Sequence, residues 1–91
     1  MKEEIQVGLY QHYKGDYYWV KGTSRNSDNP SEIVVVYQAL YENEFGRNAR
    51  WHREINSFLE PREDGSQRYR YIGPYPQAAQ GIEGIMLPEE K

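Results

Sequence analysis

The sequence predicts a mainly β protein: a small five-stranded antiparallel barrel with one short helical turn and an irregular C-terminal tail. Three observations lead there. Apolar and aromatic residues recur at every second position in several short runs, which is strand spacing. Turn-forming residues separate those runs at close intervals. Aromatics make up 14% of the 91 residues, nine of them tyrosine, while the hydrophobic fraction is 37% and the mean hydropathy -1.00. Ring area must therefore replace aliphatic area in the one modest core that a chain of this length can build.

Val7 to Tyr13 alternates, with Val7, Leu9 and Tyr13 on one face and Tyr10 on the other, and predicts the first strand. Lys14-Gly15-Asp16 supplies a tight turn. Tyr17 to Thr23 predicts the second strand, Tyr18 and Val20 facing one way and Tyr17 and Trp19 the other, so that the two read as a hairpin. The polar run Arg25 to Ser31 predicts a loop, with Pro30 as its breaker. Ile33 to Tyr41 is apolar on both faces, the mark of a central strand covered on both sides or bent around a barrel.

Glu42 to Gly46 predicts a turn, and Arg47 to Arg53 contains a fourth strand around Trp51. Ile55, Phe58 and Leu59 fall at i, i+3 and i+4, one helical turn closed by Pro61. Asp64-Gly65 turns the chain into a last strand, Gln67 to Ile72. These strands compose a barrel domain over 1–72 of the SH3-like kind, whose closure removes sheet edges, with an OB-like barrel or an open curved sheet as alternatives. The tail, 73–91, is rich in proline and glycine, and is either disordered or laid over the barrel by Ile82, Ile85, Met86 and Leu87.

Composition excludes several kinds of chemistry. There is no cysteine, so disulfides, thiolate metal sites and thiol nucleophiles are absent, which fits a cytoplasmic setting. No apolar run reaches membrane-span length, and the N-terminal residues do not read as a signal peptide. The net charge of -3 is carried near the ends, and the body from Ile5 to Ile72 is balanced, which disfavours nucleic acid as the leading partner. His12 and His52 alone make no metal-ligand set, the serines have no nucleophile elbow, and no glycine-rich phosphate loop occurs. No cofactor is expected, and nothing favours a particular oligomeric state.

Two groups of residues can carry recognition. Strand alternation puts His12 and Lys14 beside Tyr10: a ring for stacking, an imidazole and a cation in a row. The plainer reading of the same face is a solvated barrel surface. In RNARWHR, Trp51 and Arg53 point the same way; tryptophan and arginine dominate binding hot spots, but Trp51 equally suits the core, and its burial would oblige Arg53 to find a carboxylate.

The runs GLYQHYKGDYYWVKG, VVVYQALY, RWHREINSFLE and RYRYIG closely resemble, in order and spacing, the bacterial DUF1653 family over Gly8 to Ile72. The resemblance implies an SH3-like barrel of unknown function and brings no catalytic residues. Tyr10, His12, Lys14, Tyr18, Tyr37, Tyr41, Trp51, Arg53 and Phe58 are among the residues that fall on recurrent positions of the family pattern. Glu54 departs from it, since relatives often carry proline there.

The expected function is a binding or adaptor module. Its Tyr10, His12, Lys14 face, extended by Tyr18, Tyr41, Trp51 and Arg53, would take a small anionic ligand or an extended peptide. The alternative is an RNA- or nucleotide-binding module using Arg47, Arg50, Arg53 and Lys14 for phosphate. An enzyme or enzyme accessory with His12 as general base stands third.

Overall fold

The computed structural model describes residues 5–88. Strand β1 (Gly8–His12) turns at Gly15, whose N–H donates to the His12 carbonyl at 2.8 Å, and returns as β2 (Tyr17–Asn26). Gly15 has φ 110°, a conformation open chiefly to glycine. Strand β3 (Asn29–Ala39) pairs along the whole of β2, so the polar run predicted as a loop is mostly strand. The reversal shrinks to Ser27-Asp28 because the Asn26 side chain accepts from the Asp28 N–H at 2.8 Å, an Asx turn that needs no longer loop. Pro30 sits at the exposed start of β3, where a lost backbone donor costs little.

After β3 comes a minimal hairpin, β4 (Glu42–Asn43) and β5 (Gly46–Arg47), then β6 (Arg50–Glu54), helix α1 (Ile55–Leu59), β7 (Tyr69–Gly73) and a 3-10 turn (Gln77–Ala79). Glu54, the departure from the family pattern, caps α1: its carboxylate accepts from the Ser57 N–H at 3.1 Å. Among the described residues no helix is long and apolar enough to cross a membrane.

The five main strands form one antiparallel sheet in the order β6-β3-β2-β1-β7. It is mainly β and five-stranded as expected, but the barrel is not closed: β6 and β7 are edges and do not pair with each other. The open alternative is the one realised. Packing replaces the missing ladder. Phe58 from α1, which follows β6 directly, stacks on Tyr69 of β7 at 4.2 Å and 6°, and meets Tyr10 and Tyr37 edge-on at 5.8 and 5.6 Å. Burying such a ring contributes roughly 2–3 kcal/mol, without the strand alignment that hydrogen-bonded closure demands.

Each face of the sheet carries a core. Tyr10, Val20, Val35, Tyr37, Ile55, Phe58 and Tyr69 fill the first, under α1. Leu9, Leu40 and Ala79 centre the second, with Trp19, Tyr75, Ile82 and Ile85 around them. The segment after Gly73 therefore supplies part of the interior. Tyr75 stacks on Trp19 at 4.2 Å, Met86 N–H donates to the Leu40 carbonyl at 2.9 Å, and Asn48 Nδ2 donates to the Ala39 and Met86 carbonyls, each at 2.9 Å. Of the apolar residues expected to lay the tail down, Ile82 and Ile85 pack, Met86 holds through its backbone, and Leu87 stays exposed. Residues 1–4 and 89–91 of the expected domain and tail lie outside the described residues. Where β1 crosses β7, Gly8 (φ 142°) has no room for a side chain: a Cβ would stand 2.5 Å from the Gly73 carbonyl oxygen.

Candidate functional site

Cross-strand register decides which of the candidate residues meet. Tyr10 opposes Tyr18, His12 opposes Tyr69, Val35 opposes Arg53 and Tyr37 opposes Trp51. Directly opposed residues share a face, so all of these side chains belong to the first face. That face is interior under α1, with His12, Tyr18, Trp51 and Arg53 half-buried around its rim.

Tyr10 is consequently a core residue, 7% exposed, with its hydroxyl donating to the Gln6 carbonyl at 2.7 Å; it is not the solvated stacking platform expected of it. His12 is half-buried at the rim. Its ring packs edge-on against Tyr69 at 4.9 Å and Tyr18 at 6.4 Å, and its Nδ1 accepts from the Lys14 N–H at 3.2 Å. With Nδ1 occupied by a donor, Nε2 carries the proton. Burial, then the Lys14 and Arg68 charges, lowers the imidazole pKa below its ordinary value. The Lys14 side chain itself is exposed in the turn and leans toward Tyr13, 5.9 Å from that ring's centre.

Four phenols gather behind His12. The Tyr18 and Tyr41 hydroxyls are 2.6 Å apart, and the Tyr18 ring meets Tyr37, Tyr41 and Tyr69 edge-on at 5.2, 5.6 and 6.0 Å. Burial and neighbouring hydroxyls push Tyr18 and Tyr69 well above the usual phenol range, so both stay protonated at neutral pH. Among them lies Arg53. Its Nη1 donates to Ser57 Oγ at 3.0 Å, its guanidinium is 6.0 Å from the Tyr69 ring centre, and the Tyr37 hydroxyl holds it charged by hydrogen bonding.

Among the described residues Arg53 makes no ion pair with a carboxylate. The partner anticipated for it is a set of hydroxyls instead. Arg68, whose charge also bears on His12 and Tyr69, has a buried Nε with no hydrogen-bond partner. The arrangement is thus a patch of O–H and N–H donors around cations, with Asp16 the acid whose field reaches His12 and Tyr18. Beside it a recess of about 330 Å³ is lined by Gln11, His12, Tyr13, Ser66, Gln67 and Arg70.

Trp51 shares the Arg53 face but stands apart from the phenols: half-buried, it packs on the first core and meets Phe45 edge-on at 5.3 Å. Arg50, by alternation, lies on the opposite face from Arg53, and with Arg47 lines a separate recess. The basic residues read as one phosphate-binding set are therefore divided between two surfaces.

A family model, "Protein of unknown function (DUF1653)", matches residues 8–72. The chain belongs to the DUF1653 family. A crystal structure of a DUF1653 protein from Bordetella bronchiseptica is similar to it, with 32% identity and a TM-score of 0.65 over 77% of this chain and 90% of that one. No curated protein matches. Set against the DUF1653 pattern, His12, Tyr18, Tyr37, Tyr41 and Arg53 converge, whereas Tyr10, Lys14 and Trp51 serve the core or the rim. Tyr37, Ser57, Arg68 and Tyr69 join the site without having been singled out as site residues from sequence. Tyr69 was accessible in principle, since a strand over RYRYIG paired to β1 puts one of its tyrosines opposite His12; only the register says which.

Proposed function

We propose that this DUF1653 protein is a binding module whose first-face rim recognises a small anionic ligand. The observation that carries the reading is Arg53: a guanidinium seated among the Tyr37, Tyr69 and Ser57 side chains, with no carboxylate to neutralise it among the described residues. Guanidinium and hydroxyl donors together suit a carboxylate or phosphate oxygen, because charge-assisted hydrogen bonds are about twice as strong as neutral ones. The neutral His12, presenting Nε2–H, and Arg68 extend the donor set toward the adjoining recess.

The same features weigh against His12 as general base. Its basic nitrogen is already engaged by the Lys14 N–H, and the Tyr18 and Tyr69 phenols behind it are pushed above the usual phenol range. The cysteine-free composition supports a cytoplasmic setting, and the Bordetella relative supports a bacterial source. Backbone amide NMR of the full chain, titrated with inorganic phosphate and with citrate, tests the reading. Shifts gathered at His12, Arg53, Ser57 and Tyr69 support it; shifts spread evenly over the surface reject it. A strong fall in affinity as sodium chloride is raised would accompany phosphate contact.

A further inference from the structure

Strand β6 is an edge. Trp51, His52 and Arg53 pair with β3 on one side, and among the described residues no strand lies on the other. An edge strand offers alternate N–H and C=O groups to any chain able to align with it. The surface beside this one is grooved and carries Arg47 and Arg50, with Glu54 at the α1 end of the strand and Glu42 opposite Arg47. Arg50 lines two adjoining recesses, one of about 390 Å³ with Val36, Trp51 and His52, the other of about 480 Å³ with Gln38, Arg47, Asn48 and Pro88. Lys21 belongs to the same cation group: its ammonium lies 4.4 Å from the Trp19 ring centre and within the electrostatic reach of Arg50. Among the described residues none of Lys21, Arg47 and Arg50 makes an ion pair. Next to β6, Phe45 is 65% exposed and meets Trp51.

We propose that the β6 edge docks an extended acidic segment of a partner protein, which adds to the sheet as a further antiparallel or parallel strand. Backbone pairing with Trp51 to Arg53 supplies the alignment, and the period of two sorts the side chains of the incoming strand. Its acidic residues on one side reach Arg50, Arg47 and Lys21, and its apolar residues on the other lie toward Trp51 and Phe45. Charge selects the occupant. A second copy of this chain, paired antiparallel through β6, would match Arg50 to Glu54 but bring no acidic residues of its own strand to Arg47 and Lys21. A nucleic-acid strand satisfies the arginines but leaves the outward amides and carbonyls of β6 without strand partners.

The probe is a capped peptide alternating glutamate and valine, followed by amide NMR on the full chain. Support consists of shifts and slowed hydrogen exchange at Trp51 to Arg53, no binding by the lysine–valine counterpart, and loss of binding when alternate peptide nitrogens are methylated. Arg47→Glu with Arg50→Glu should weaken binding about tenfold or more at an unchanged melting temperature. Arg68→Met, which removes a cation of the anion site beside β7 and leaves the β6 edge untouched, should leave the peptide affinity unchanged, so the two proposals fail separately. Retained binding by the methylated peptide overturns strand addition. Tighter binding of oligothymidylate than of the acidic peptide, or concentration-dependent self-association through the same amides, overturns the choice of occupant.

Discussion

The hydroxyls of Tyr18 and Tyr41, 23 positions apart in sequence, meet at 2.6 Å at the rim of the first core. Each ring is half-buried, so neither hydroxyl has the bulk solvent it would need if the other were removed. Tyr18→Phe and Tyr41→Phe should each cost about 1 kcal/mol, and the double variant about the same as either single one, because one hydrogen bond is lost in all three. Urea unfolding of the four proteins measures the cycle. Additive costs would show that the contact contributes nothing of its own.

His12 makes stability depend on pH. Its folded-state pKa lies below the ordinary 6.5, so between those two values the unfolded chain binds more protons than the folded one. The stabilisation is complete above about pH 6.5 and is lost as pH falls through that value toward the folded pKa. His12→Gln should flatten this part of the stability profile relative to the unaltered protein. Identical slopes for the two proteins below pH 6.5 would contradict the placement of the imidazole.

Phe58 takes the place of hydrogen-bonded barrel closure, and its loss should be felt accordingly. Phe58→Ala removes the stack on Tyr69 and should cost about 3–5 kcal/mol, a large share of the total stability of a small domain. Gly8→Ala should also be severe, since the new methyl group would lie 2.5 Å from the Gly73 carbonyl oxygen. Thermal unfolding monitored by circular dichroism reads both. A melting temperature unchanged in Phe58→Ala would mean that the sheet holds its curvature without the helix.

The C-terminal segment is structural on this reading. Ending the chain at Gly73 uncovers Leu9, Leu40 and Trp19, and should lower the melting temperature and raise binding of a hydrophobic dye. Tyr75→Ala, which removes the stack on Trp19 and one ring from the second core, should produce a smaller loss of the same kind. A truncated protein as stable as the full chain would refute the second core.

Strand identity was legible because alternation is a local property. The pairing of Tyr18 with Val20 and of Tyr17 with Trp19 on opposite faces appears directly in the chain, and the structure puts the first pair in one core and the second in the other. What alternation does not carry is which face becomes covered. Tyr10 and His12 share a face as expected, yet that face is the interior, because α1 and β7 close over it from far along the sequence. Arg53 likewise shares its face with Trp51, but its hydroxyl partners come from β3, α1 and β7, and only register brings them together. The tail lacks any period because it packs as irregular chain, through single residues such as Tyr75 and Ile82, so periodicity had nothing to report. At the β2–β3 turn the error was compositional: polar residues were read as loop, whereas an exposed hairpin end tolerates them.

The most direct test of the central claim is calorimetric titration of inorganic phosphate into the unaltered protein, Arg53→Met and the remote control Arg25→Gln. Loss of a charge-assisted contact of about 1.5–3 kcal/mol corresponds to roughly ten- to hundredfold weaker binding. The account predicts that loss for Arg53→Met alone, with Arg25→Gln indistinguishable from the unaltered protein. Equal affinity in all three, or equal weakening by both substitutions, would contradict it.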